Sequence, residues 1–206
     1  ELTAMPEPFF AALFTLSSHH PFVVPEKYAA TLPEGYTRIH KGVAYDDNAF
    51  RLFFERFGSE EWFRRTLFVF VADHVSSEKF AAQTRSYPGN YHIIGFMYTP
   101  DGALRGEVSE VVQQLDIMPT LLGLLGNREP YFAFGRDVLN EPQRPQWSVS
   151  WDGAFQAVTN DGTIRFDDAQ ETPAASSAGD SLLQDFRALV QQYYSHAEKK
   201  SYIVHD

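Results

Sequence analysis

Apolar residues in this chain fall into short unbroken runs and helical-period stretches, separated by polar, proline-bearing segments. Residues 9–16 (FFAALFTL) are bounded by Pro8 and by Ser17-Ser18-His19-His20-Pro21, and predict a buried strand. Residues 21–40 hold three prolines and read as a surface loop. Residues 43–57 set Tyr45, Ala49, Leu52, Phe53 and Phe57 at helical spacing, and Gly58 supplies a stop. Residues 66–72 and 92–98 are uncharged runs of strand length. Such runs suit strands covered on both faces, as in a parallel α/β sheet. The segment between them is polar and contains Pro88-Gly89-Asn90. Residues 108–112 predict a short edge strand. Residues 116–125 (DIMPTLLGLL) predict a helix, with Asp116 as N-cap and Pro119 in the first turn, where a missing N–H costs nothing. Trp147 and Trp151 flank a strand, as core or rim packing. Residues 155–166 alternate around Asn160-Asp161-Gly162, a hairpin signal. Residues 167–180 read as a linker, and 182–199 as an amphipathic helix with Leu182, Phe186, Leu189, Val190, Tyr193 and Ala197 on one face.

Composition narrows this α/β picture. The 206 residues suit one domain or a large piece of one. Hydrophobic residues at 44%, with 18 Phe and 10 Tyr, can bury a real core and make disorder a poor reading. The net charge is -10 and no Lys/Arg cluster appears, which argues against a nucleic-acid partner. Acidity leaves small anionic substrates open, because a bound cation outweighs net charge locally. The absence of cysteine rules out disulfides, thiol nucleophiles and Cys-ligated zinc. No run approaches the ~20 apolar residues of a membrane helix. The chain opens on Glu1 and enters an apolar segment almost at once, so we expect it to start inside a longer polypeptide, with any targeting segment upstream.

The sharpest chemical signal is residues 67–74, LFVFVADH, where an apolar strand ends in two ligand-type side chains. Sites in α/β sheets lie beyond the carboxyl ends of strands, and a carboxylate with an imidazole suits Zn²⁺ or Mn²⁺. From Asp73 and His74 alone, a capping Asp and a packing His read equally well. The second signal is TLSSHHPF at 15–22. A His at such a strand end can bind a phosphate or sulfate oxygen or protonate a leaving group. Taken alone, His19 and His20 read more simply as exposed loop histidines. Arg85 and Tyr87 could reach a substrate anion. His40, His92, His196 and His205 show no partner spacing, and Glu60-Glu61 with Arg64-Arg65 read as solvated helix ends.

Five blocks in order, TLSSHHPF, Tyr45-Asp46-Asp47-Asn48, FVFVADH, YHIIGFMYTP at 91–100 and QLDIMPTLLGLLG at 114–126, resemble the sulfatase domain of the alkaline phosphatase superfamily. The branch they resemble most is that of lipoteichoic acid synthase and related phosphoglycerol transferases. The resemblance implies an alkaline phosphatase-like mixed sheet sandwiched by helices, with a small C-terminal β-hairpin plus helix. Residues 1–140 would then be the carboxy-terminal half of the catalytic domain, and 141–206 its C-terminal hairpin and helix. It implies that Asp73 and His74 bind a divalent metal, Mn²⁺ first, with Zn²⁺, Mg²⁺ or Ca²⁺ as the other candidates. His19 takes the family's place for a catalytic, substrate-binding His, and Arg85 is kept as a further substrate-binding candidate. Asp116, Pro119 and Thr120 match a block read as structural. Val75 stands where the family usually has Gly or Tyr, and Gly95 where a larger residue or Pro is common. Both departures leave the local pocket shape open. The nucleophile and first carboxylate ligand match nothing in this chain. The implied partners are therefore the amino-terminal half of the same domain and a phosphate- or sulfate-ester substrate, with a membrane reached only through an upstream segment. The implied location is the bacterial cell envelope, on the extracytoplasmic face of the inner membrane or in the periplasm. A sulfuric ester hydrolase and an inactive binding module are the competing readings.

Overall fold

The computed structural model describes residues 2–79, 81–144, 146–166 and 180–202. The linker predicted at 167–180 falls almost wholly outside them, as does His205. The chain is α/β and divides into two compact units, Glu1–Gly106 and Glu107–Asp206.

In the first unit the helices are α1 (Glu26–Ala29), α2 (Arg38–Phe57) and α3 (Glu61–Arg64), and the strands are β1 (Phe68–Val71) and β2 (Gly95–Tyr98). The helix predicted over 43–57 starts five residues earlier. Thr37 caps it, and the His40 ring reaches back to the Thr37 N–H at 3.1 Å, so a histidine fills the role that Glu or Gln plays in a capping box. The strands pair antiparallel, with Phe68 opposite Tyr98 and Phe70 opposite Phe96. This corrects the parallel expectation: an unbroken apolar run fixes that a strand is buried or packed, and does not fix its direction. Alternation puts Phe68, Phe70, Phe96 and Tyr98 on one face. That face meets α2, with Phe50 against Phe70 at 5.2 Å and Phe54 against Tyr98 at 5.4 Å. Trp62 and Phe63 of α3 are buried and complete the cluster, with Phe63 at 4.8 Å from Phe68. Tilted and edge-on ring pairs of this kind add roughly 0.5–1.5 kcal/mol each beyond area burial.

Residues 9–16 correct the sequence reading more sharply. They form no strand, and Phe10, Leu13, Phe14 and Leu16 are 86%, 85%, 68% and 69% exposed. Phe9 alone of this run makes a ring contact with the cluster, at 6.1 Å from Trp62. A strand requires a neighbour for its N–H and C=O groups, and none of the described strands lies beside this one.

The second unit holds α4 (Ile117–Leu124), β3 (Trp147–Trp151), β4 (Phe155–Thr159), β5 (Gly162–Phe166) and α5 (Asp180–Lys199). The strands form an antiparallel sheet in that order, with Val149, Ala157 and Ile164 in register across it. Phe186 of α5 is fully buried with Ala157 and Ile164, and Leu183, Leu189 and Val190 pack around them at helical spacing. The edge strand predicted over 108–112 is absent; those residues are irregular. Asp116 does not cap α4 with its side chain, because a 3-10 turn, Gln114–Asp116, precedes the helix and Gln113 takes the capping place. Instead the buried Asp116 carboxylate accepts the Arg136 N–H at 2.8 Å and the Gln113 N–H at 3.0 Å. Thr120, also buried, donates to the Asp116 carbonyl at 2.7 Å and accepts the Val138 N–H at 3.1 Å. The Asp-x-x-Pro-Thr block thus bolts α4 to residues 136–138.

Candidate metal centre

β1 delivers the candidate ligands. Its ladder with β2 runs one residue past the strand, where the Ala72 N–H reaches the Ile94 carbonyl at 3.2 Å, and the chain then turns out at Asp73. The turn is held locally, since Asp73 Oδ1 accepts the His74 N–H at 2.9 Å. His74 Nδ1 lies 2.7 Å from the Val75 carbonyl. A carbonyl only accepts, so Nδ1 carries a proton, and in the neutral imidazole Nε2 is then the nitrogen with the lone pair. This is the tautomer lock that metal-binding histidines show. Nε2 lies 3.4 Å from Asp73 Oδ2. Two ligand atoms each about 2.1 Å from one tetrahedral ion stand roughly 3.4 Å apart, so the spacing fits a shared cation. Both side chains are exposed, Asp73 at 52% and His74 at 73%.

His19 sits on a separate turn at Ser17–Pro21 and is exposed. Its Nδ1 lies 2.8 Å from the His20 carbonyl, so in its neutral form Nε2 is again the unprotonated nitrogen. His20 instead packs its ring against Phe22. The turn rests on α2 through Gly42, which is buried and at which a Cβ would overlap the Ser17 carbonyl. The sequence reading missed this residue as a positioning element. Its available signal was a glycine just ahead of the helical spacing at 43–57. Arg85 follows the 3-10 turn Ala82–Thr84, is exposed, and donates from Nε to the Lys79 carbonyl at 3.4 Å. The structure brings Asp73 and His74 together. His19 makes no hydrogen bond to either.

Among the described residues no three or more His, Asp or Glu side chains gather as a metal site. As candidate ligands, Asp73 and His74 would supply two of the three or four that such a centre uses. Gly95, opposite Val71, has ordinary van der Waals room for a Cβ, with the nearest atoms at 3.7 and 3.8 Å, so the family departure there reflects no steric demand. Among the described residues no helix is long and apolar enough to cross a membrane.

Residues 2–127 match the family model described as Sulfatase. The chain is 26% identical over 181 residues to Lipoteichoic acid synthase-like YvgJ of Bacillus subtilis (strain 168), an alignment covering 78% of this chain and 29% of that protein. It is 24% identical over 161 residues to Lipoteichoic acid synthase of Staphylococcus aureus (strain USA300), covering 66% of this chain and 24% of that protein. The chain thus spans less than a third of the length of either relative. No solved structure matches it.

Proposed function

Because the chain belongs to the sulfatase family of the alkaline phosphatase superfamily, in the lipoteichoic acid synthase branch, we propose that it is part of a metal-dependent enzyme. Its reaction is transfer of a phosphoglycerol or phosphoethanolamine group, on cell-envelope substrates at the extracytoplasmic face. The observation that carries the reading is the Asp73–His74 pair: ligand atoms 3.4 Å apart, with the imidazole tautomer fixed by Val75. A divalent cation held there would neutralise charge building on the oxygens around phosphorus and lower the pKa of an attacking hydroxyl. Asp73 contributes the carboxylate and His74 its Nε2. His19 hydrogen-bonds the transferred group, or hands a proton from Nε2 to the leaving oxygen when that nitrogen is protonated. Arg85 adds positive charge for the substrate anion. The remaining ligands and the nucleophile come from the rest of the longer protein, which also covers the exposed residues 9–16. That covering is supported by the exposure of Phe10, Leu13, Phe14 and Leu16 and by the chain's small share of its relatives.

In the full-length enzyme, His74→Ala abolishes metal-dependent turnover, assayed on a phosphodiester and on an aryl sulfate in parallel. Unchanged turnover in the variant overturns the assignment. Preference for the aryl sulfate selects sulfate-ester hydrolysis instead.

A further inference from the structure

A cavity of about 270 Å³ in the second unit is lined by Gln113, Asp116, Phe134, Arg136, Arg144 and Trp147, among others. Arg136 is the unexpected member. It is 4% exposed, and a buried cation needs hydrogen bonds or a counter-charge. Its Nη2 reaches the Val111 carbonyl at 3.4 Å, a long bond, and no ion pair among the described residues includes it. Asp116 accepts the main-chain N–H of Arg136 and lies in no ion pair with its guanidinium. Beside it, Arg144 spends Nη1 on the Gly135 carbonyl and on Glu141, both at 3.2 Å. The two guanidinium groups carry ten N–H donors between them, and the bonds above use few of these. Phe134 and Trp147 give the same cavity an apolar wall.

We propose that this cavity binds a small molecule carrying an oxyanion, either a phosphate monoester or a carboxylate. Arg136 and Arg144 hold the oxyanion, and the carbon skeleton lies against Trp147. Planar guanidinium groups match the paired oxygens of both anions. The volume falls below the roughly 300–1,000 Å³ of drug-sized pockets, which limits the ligand to a few carbons. The site is separate from the Asp73–His74 reading and stands or falls without it.

Isothermal titration of the intact protein with propyl phosphate and with butyrate, at constant ionic strength and with 1-butanol as the neutral control, tests the proposal. At least one anion binds saturably at one per chain, the alcohol does not, and the stronger anion identifies the class. Arg136→Met weakens that binding at least tenfold, as does Arg144→Gln. Arg144 is half-exposed, so the second variant carries the test if the first fails to fold. No saturable heat with either anion, or unchanged affinity in Arg144→Gln, overturns the site.

Discussion

At the residue scale the candidate centre depends on two proton positions. His74 and His19 each spend Nδ1 on a neighbouring carbonyl, so each presents Nε2 outward. The proposed roles, metal ligand for His74 and substrate-binding imidazole for His19, need the same tautomer, and one local bond favours it in both cases. Gly95 tests a different claim, that nothing in the local packing requires glycine. Gly95→Ala, at the first position of β2, should raise stability by up to about 0.5 kcal/mol, because a strand glycine loses backbone entropy that alanine does not. Urea denaturation checks the sign. Asp101 gives the pH dependence. Its carboxyl is held below the ordinary 3.8, first by the Ala103 N–H and then by Thr99. A lowered folded pKa stabilises the turn above the unfolded value, and that support is lost as pH falls through the folded one. Amide exchange at Ala103 and Leu104 should be protected well above the ordinary 3.8 and become less protected, relative to the rest of the unit, as pH falls well below it.

At the element scale, α2 both buries the aromatic face of the β1/β2 pair and seats the His19 turn. Gly42 makes the second role testable. Gly→Ala inside a helix ordinarily stabilises by ~1 kcal/mol, yet here the new Cβ overlaps the Ser17 carbonyl. Gly42→Ala should instead destabilise by about 1–3 kcal/mol and, if the proposed role of His19 holds, lower turnover of the full-length enzyme without weakening metal binding. Phe186→Ala should cost about 3–5 kcal/mol, because the ring is fully buried against Ala157 and Ile164. Denaturant midpoints measure both. The elements most legible in the sequence were those whose pattern is local. The helical spacing of Tyr45 to Phe57, the turn at Asn160-Asp161-Gly162 and the face of α5 each depend on residues a few positions apart. Strand pairing was less legible. The FVFV and GFMY runs look alike whether parallel or antiparallel, and direction is set by what lies between them. The irregular state of residues 108–112 had no signal in their alternation.

At the scale of the whole molecule, residues 9–16 and the metal pair raise the same point. A run as apolar as FFAALFTL reads as a buried strand, yet it forms none here, its large side chains are exposed, and no described strand lies beside it. Asp73 and His74, as the proposed ligands, would likewise supply two where a centre needs three or four. The sequence carried the pair and its place at a strand end. It did not carry the Val75 carbonyl that fixes the tautomer, nor the close approach at Gly42, since both depend on backbone geometry. The most direct test is Mn²⁺ binding to the full-length enzyme, followed by the paramagnetic resonance signal of the free ion, in wild type, Asp73→Ala and His74→Ala. The account predicts one saturable site in the wild type and its loss in either variant, with circular dichroism unchanged. Equal Mn²⁺ uptake by all three proteins would contradict it.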